Sequence, residues 1–164
     1  MDKSALAAQL VAKVRESIAV AERELASACE AARHVACAKE RREDNRMAIE
    51  YGGLANGQKR RVAQGRQILA MVESFHPRPI PSSGRVALGA VVEVEDEDDG
   101  SGRTFFLAPA GAGIELSGPG GDGFLSVVTP HSPMGRAVMG QELGDAVDVT
   151  VEGVTRSWEI TWLE

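Results

Sequence analysis

The stretch FLSVVTPHSPMGRAVMG, from Phe124 to Gly140, is the part of this 164-residue chain that decides the fold. The segment Phe124–Thr129 is largely apolar and β-branched, which is typical of a buried strand. Ser132 is a good N-cap, Pro133 suits the first helical position, and Gly140 suits the position just past a helix end. The stretch therefore predicts a strand, a turn and one short helix.

The sequence around this stretch predicts a small sheet domain over residues 85–164. The other strand candidates are Val86–Glu95, Arg103–Leu107, Gly113–Leu116, Ala146–Val151 and Arg156–Trp162. Glu152-Gly153 suits a tight turn between the last two strands. The acidic run Glu95–Gly102 is interpreted as a solvated hairpin loop. A calcium loop is the alternative, although the ligand spacing of an EF-hand is missing.

Residues 1–75 have the pattern of an antiparallel helical hairpin, a coiled coil. Helix periodicity runs from about Lys3 to Lys39, and its apolar stripe is Leu6, Leu10, Val14, Ile18, Ala21, Leu25, Ala28, Ala32 and Val35. So long and narrow a stripe needs a partner helix. The partner is predicted over residues 54–75, with the hairpin tip near residues 40–50 and Gly52-Gly53 as a second possible break. A proline-rich linker, residues 76–84, then separates hairpin and sheet, so the predicted fold class is α+β.

Composition restricts the class of protein. The chain is 43% hydrophobic and 26% charged, and no apolar run approaches the roughly 20 residues of a membrane span. The first residues lack a signal-peptide pattern, and Cys29 and Cys37 are too far apart on one helix for a disulfide, so we expect a cytoplasmic protein. Residues 1–75 carry 13 basic and 10 acidic residues, whereas residues 76–164 carry 5 and 14. The acidic half argues against binding of duplex DNA.

The motif Ser132-Pro133-Met134-Gly135-Arg136-Ala137, followed by Gly140, Gly144-Asp145, Val147 and Val149, resembles the C-terminal signature of the Gre family of bacterial transcription elongation factors. Leu125–Val128 and Trp158–Ile160 resemble the strands on either side of it. In the first half, Glu50-Tyr51 resembles the family's Glu-Tyr pair after the hairpin tip. Leu54–Val62 is similar to the start of the second helix in divergent relatives. The resemblance implies an FKBP-like domain, in which an antiparallel sheet wraps on one short helix. It also implies that the partner is RNA polymerase in the bacterial cytoplasm.

The resemblance also implies that the hairpin enters the secondary channel of the polymerase and stimulates the polymerase to cleave its own backtracked transcript. The protein itself is then not an enzyme and has no cofactor of its own. The tip acids Glu43 and Asp44 are the candidate catalytic residues and ligands of a Mg²⁺ ion shared with the polymerase. The family's second tip acid is replaced here by Met47, and its Asn by Ala48, which puts cleavage stimulation in doubt. The alternative role of Glu43 and Asp44 is that of exposed tip charges.

Basic residues and the short helix supply the other candidate contacts. Arg42, Arg46, Arg60 and Arg61 are predicted to cluster at the far end of the hairpin and to contact phosphates near the transcript 3′ end. The alternative is a solvated helix face. The resemblance assigns the corner formed by His131, Ser132, Pro133 and Arg136 to polymerase binding. On the residues alone, Ser132 simply caps its helix.

Three other functions remain open at this stage. A Gre-like regulator could occupy the channel without stimulating cleavage, which Met47 favours. A coiled-coil adaptor unrelated to transcription would fit the hairpin alone. A prolyl isomerase on an FKBP-like fold needs an aromatic-lined pocket, and aromatic residues make up only 4% of the chain.

Overall fold

A computed structural model describes residues 2–37, 42–81, 84–118 and 123–164, with side chains described outside residues 35–48. Within these ranges the elements, in chain order, are α1 (Lys3–Cys37), α2 (Arg42–Glu73), β1 (Val91–Asp96), β2 (Gly102–Leu107), β3 (Glu115–Ser117), β4 (Phe124–Val128), α3 (Pro133–Val138), β5 (Ala146–Val151) and β6 (Val154–Leu163). The chain thus has a long helical N-terminal region followed by a sheet with one short helix, as predicted.

The chain divides into two compact units. One unit consists of Met1–Ala12 and Met71–Glu164, and the other is Lys13–Ala70. The sequence instead predicted a hairpin over 1–75, a linker over 76–84 and a sheet domain over 85–164. In the structure, both chain segments that lead into and out of the helical unit belong with the sheet.

The helical unit is an antiparallel pair formed by α1 and α2. Arg66 pairs with Glu22 at 2.8 Å and Arg61 with Glu24 at 3.6 Å, and a Cβ added to Gly65 would lie 2.7 Å from Cγ1 of Ile18. The predicted start of the second helix at residue 54 is wrong, because α2 begins at Arg42 and runs through Gly52-Gly53 without a break. Glycine lowers helix propensity by about 1 kcal/mol, and the length of the surrounding helix outweighs this. Residues 40–41 of the predicted tip, and the side chains of its residues 42–48, lie outside the described part of the chain.

The sheet has six strands in the order β3-β4-β2-β1-β6-β5. Every pair is antiparallel except β2 with β4, which are parallel with Phe106 opposite Val127. The predicted all-antiparallel sheet is therefore corrected to a mixed one. The reason is topological: the chain reverses once between β2 and β3 and again between β3 and β4, and β4 then inserts beside β2.

Turns in the sheet explain where the predicted strands were right or wrong. Glu152 and Gly153 both have positive φ, 53° and 83°, which is the type I′ turn of a two-residue hairpin, as predicted. The predicted strand Val86–Glu95 begins too early, because Gly89 adopts φ 92° in a turn and β1 starts only at Val91. The acidic segment does connect β1 to β2 as a hairpin loop.

The sheet buries residues on both of its faces. On one face, Val138 of α3 packs with a cluster that includes Val94, Trp158 and Ile160. Phe105 of β2 belongs to the same cluster. Phe106 is the next residue along the strand and therefore points to the opposite face, where its ring centroid lies 6.2 Å from that of Phe75. The packing of Val138 into the first cluster fixes the short helix α3 against the sheet.

The first three turns of α1 belong to the sheet unit. Leu6 and Leu10 are 0% exposed, and Leu10 packs against Gly111, whose φ of 90° also requires glycine. Gln9 donates to the carbonyl of Ser117 at 3.2 Å and accepts from its N–H at 3.0 Å. The sequence predicted these leucines as part of the hairpin seam, because periodicity defines the apolar face of a helix and not the element that covers it.

Candidate functional site

The corner at the start of α3 is held by hydrogen bonds around Ser132. Its hydroxyl donates to the carbonyl of Thr129 at 2.9 Å and accepts from the N–H of Gly135 at 3.0 Å. Gly135 is buried, and a Cβ there would meet the Thr129 carbonyl, so this chain has no room for a side chain at this position. Ser132 therefore acts as the predicted N-cap, and its hydroxyl is already occupied by the backbone.

The rest of the motif is also mostly structural. Gly140 and Gly144 have φ of 80° and 88°, conformations that other residues rarely adopt. Asp145 accepts a hydrogen bond from the N–H of Glu142 at 2.8 Å, and Val147 and Val149 are buried. These residues end α3 and lead the chain into β5, so they shape the corner.

Three of the four predicted corner residues present their side chains to solvent. His131, Pro133 and Arg136 are exposed, whereas Ser132 is half-buried and Met134 packs against the core. Arg136 makes no ion pair with any residue that the structure describes. By contrast, nearby Arg85 is paired with Glu142 at 3.0 Å. Arg136 is thus the basic side chain of the motif that is available to an acidic partner.

An ionic cluster at the β1–β2 loop was missed by the sequence analysis. Asp96 is only 1% exposed and accepts hydrogen bonds from Arg156 at 2.9 Å and from the N–H of Asp98 at 2.9 Å, which lower its pKa. Asp99 also contacts Arg156, at 3.2 Å, and its pKa is lowered mainly by hydrogen bonds from Ser101. The pKa of Arg156 is raised, chiefly by its hydrogen bond to Asp96. The cluster ties the loop to β6, and the only signal in the sequence was an arginine at the start of the final strand.

The predicted tip residues lie at the start of α2. Arg42, Glu43 and Asp44 fall in its first turn and Arg46 in the next, while the side chains of all four lie outside the described residues. Acidic residues in the first turn stabilise a helix through their interaction with its dipole, and this holds for any further role of Glu43 and Asp44. Met47 follows Asp44 by three residues, so the family's second acid position lies one turn further along the same helix.

Arg60 and Arg61 lie on α2 and are exposed, well separated from that start. Eighteen residues of helix place Arg60 about 27 Å from Arg42 along the axis. The predicted basic cluster is therefore two groups, one at the start of α2 and one near its middle. In the second group, Arg61 also pairs with Glu24.

Two further observations bear on the class of site. Among the described residues, no group of three or more His, Cys, Asp or Glu side chains is arranged to hold a metal ion. No described helix combines the length and apolar character that a membrane span requires.

Comparison with known proteins identifies relatives of the chain. The family described as "Transcription elongation factor, GreA/GreB, C-term" matches residues 81–164, which is half of the chain and includes the α3 corner. Transcription elongation factor GreA of Cereibacter sphaeroides is 31% identical over 101 residues, 61% of this chain and 60% of that protein. GreA of Mycobacteroides abscessus is 32% identical over 120 residues, 71% of this chain and 70% of that protein. This chain thus spans about three fifths of the length of the Cereibacter relative.

Solved structures show weaker similarity. GreA factor homolog 1 (Gfh1) of Thermus thermophilus has a TM-score of 0.40 at 18% identity, covering 94% of each chain. GreA/GreB of Nitrosomonas europaea has a TM-score of 0.38 at 17% identity, covering 60% of this chain and 78% of that one. The family match and the Mycobacteroides relative carry the conclusion without them: this chain belongs to the GreA/GreB family of transcription elongation factors.

Proposed function

We propose that this protein binds bacterial RNA polymerase in the cytoplasm through the corner formed by His131, Pro133 and Arg136. The observation that carries the proposal is the family match over residues 81–164, the region that builds this corner. Within the motif, the other residues support the backbone or the core, while Arg136 is exposed and unpaired among the described residues. An exposed guanidinium is suited to a bidentate contact with a carboxylate of the partner.

The helical unit then enters the secondary channel of the polymerase. α1 alone has 35 residues, about 52 Å of helix, and its antiparallel pairing with α2 makes a narrow probe. Arg42, Arg46, Arg60 and Arg61 lie along α2, where they would contact phosphates near the transcript 3′ end by charge attraction. The spacing of about 27 Å between the two groups suits contacts at two depths of the channel.

Hydrolysis of the transcript belongs to the polymerase, and this protein supplies side chains to it. Carboxylate oxygens are the ligands that Mg²⁺ prefers, so Glu43 and Asp44 fit a role in holding an ion shared with the polymerase. When bound, that ion would stabilise charge on the phosphodiester oxygens during cleavage. The thioether of Met47 does not suit Mg²⁺.

A second candidate is a regulator that occupies the channel without stimulating cleavage. Met47 favours it, because Asp44 then has no acidic partner one turn along α2. The coiled-coil adaptor has only the helical unit in its favour. The isomerase gains no support from the aromatic residues of the sheet unit, since Phe105, Phe106 and Trp158 are buried in the core and cannot line a pocket.

Retention on core RNA polymerase tests the proposed contact. The wild-type protein should be retained at low salt and released as salt increases, and Arg136→Ala should weaken retention about tenfold through loss of a charged hydrogen bond. Arg85→Ala is the matched control, because it removes an arginine of the same unit that is already paired with Glu142. Failure of the wild-type protein to bind at low salt would favour the adaptor.

Transcript cleavage by stalled polymerase separates the two regulatory behaviours. If the protein stimulates cleavage, the double change Glu43→Ala/Asp44→Ala should abolish stimulation while retention persists. If it does not, Met47→Glu should introduce stimulation by restoring an acid one turn from Asp44. Stimulation that is unaffected by loss of both acids would rule out their role in holding the metal.

A further inference from the structure

Three glycines inside α2 have no structural requirement in this unit. None of Gly52, Gly53 and Gly57 has a positive φ, and apart from the adjacent residues and the nearby backbone of α2 itself, no described atom lies within 4 Å of the place where a Cβ would be. Glycine is normally needed for a positive φ or for close approach of another group. Gly65 on the same helix illustrates the second case, with Ile18 against it. The three glycines therefore lower the stability of the helix without any gain in packing.

Packing around this segment is also weak. None of the residues 49–61 of α2 is buried, and neither is any of residues 29–34 of α1. Ala28 and Val62, which are 5% and 6% exposed, are the buried residues of the two helices that border these segments. Across residues 29–34 and 49–61, the apolar burial that stabilises a long amphipathic helix is missing.

A groove opens between the two helices at this level. Its volume is about 470 Å³, and its lining includes Ala28, Ala31, Tyr51, Leu54 and Gln58. The Oε1 atom of Gln58 is buried without a hydrogen-bond partner in the described part of the chain, which costs free energy. The ion pair between Arg61 and Glu24 at the edge of the groove is exposed and so contributes little.

We propose that residues 49–61 of α2 form a hinge that unwinds locally while the helix from Val62 onward stays folded. Three glycines without a packing contact and an unsatisfied amide lie in this segment, and none of its residues is buried. The part of α2 that follows is held by the buried residues Val62 and Val72. Local opening of this kind requires few buried contacts and exposed backbone hydrogen bonds. The start of α2, with Arg42, Glu43 and Asp44, would then change direction without unfolding the rest of the helix. The hinge is a property of the free protein and does not depend on polymerase binding.

Hydrogen exchange of the full-length free protein tests the hinge. In the wild type, amides of residues 50–58 should exchange at least tenfold faster than amides of residues 62–72. Because alanine favours a helix over glycine by about fivefold in the helix–coil equilibrium, Gly52→Ala/Gly53→Ala/Gly57→Ala should slow exchange at residues 50–58 by up to a hundredfold. Exchange at residues 62–72 should stay within twofold of the wild type.

Ala63→Gly is the matched control, because Ala63 is an exposed position on the packed part of the same helix. It should speed exchange near residue 63 by about fivefold and leave residues 50–58 unchanged. Equal protection of the two segments in the wild type would overturn the hinge. So would a triple alanine variant with unchanged exchange, and if that variant also lost retention on polymerase, the glycines would serve close approach of a partner instead.

Discussion

At the scale of single residues, side chains of one type have different roles according to the hydrogen bonds around them. Ser132 was identified from the sequence because an N-cap has a local signature, a serine directly before a proline. Asp96 was not, because its side-chain hydrogen-bond partner, Arg156, lies sixty positions away along the chain. In the sequence Asp96 resembles its exposed neighbours in the acidic loop, and only the pairing of β1 with β6 distinguishes it.

The ionic cluster makes stability depend on pH in a defined direction. The pKa of Asp96 is lowered below its ordinary value of 3.8 by folding, so the ionised carboxylate stabilises the native state above that value. This contribution is lost as the pH falls through the lower pKa of the folded state. Asp96→Asn should therefore reduce the free energy of unfolding at pH 7, and the difference from wild type should shrink below about pH 4.

Denaturant unfolding at pH 7, 5 and 3 measures that difference. Asp98→Asn is the control, because the Asp98 side chain is exposed and only its backbone N–H contacts Asp96. Its effect should be small at each pH. A deficit for Asp96→Asn that is the same at pH 3 and pH 7 would contradict the assigned role of the carboxylate.

At the scale of elements, the sequence predicted which segments form helices and strands better than it predicted which elements pack beside each other. The stripe of α1 was recognised, yet Leu6 and Leu10 belong to the sheet unit, whereas Ile18 lies against Gly65 of α2. Strand pairing has the same limit, since alternation predicts β4 but cannot show that it inserts beside β2 in parallel. The start of α2 was misplaced because Gly52-Gly53 resembles a break, while helix length decided otherwise.

Gly65 allows the close approach of α1 and α2. Gly65→Ala should gain about 1 kcal/mol in helix propensity and lose more than that by overpacking against Ile18, for a net destabilisation of about 1 kcal/mol. In the Ile18→Ala background the obstructing Cγ1 is absent, so the same change should stabilise. The expected coupling free energy is about 2 kcal/mol, measurable by a double-mutant cycle of denaturant unfolding. Equal effects in the two backgrounds would show that the helices do not touch at this level.

At the scale of the whole molecule, the division into two units determines which spectroscopic signal reports on a substitution in each unit. Both tryptophans, Trp158 and Trp162, lie in the sheet unit, while most of the helical content lies in the other. The sequence predicted that the first 75 residues form one structural body. The structure instead assigns the first turns of α1 to the sheet.

Leu10→Ala tests that assignment. Leu10 is fully buried against the loop at Gly111, so the change should cost about 3 kcal/mol and should lower the midpoint of unfolding followed by tryptophan fluorescence. Val62→Ala, in the helical unit, is the comparison and should move the helical circular dichroism signal more than the fluorescence. Loss of helical signal without any shift in the tryptophan transition of Leu10→Ala would mean that the first turns of α1 do not belong to the sheet unit.

The bond between Gln9 and Ser117 joins positions 108 residues apart. A ribosome that adds about 5 to 20 residues per second needs on the order of ten seconds to travel that distance. During that interval Leu6 and Leu10 have already been synthesised, and the loop that will cover them has not. The nascent chain therefore carries an uncovered apolar helix end until late in translation, which is a period when chaperone binding or aggregation can compete with folding.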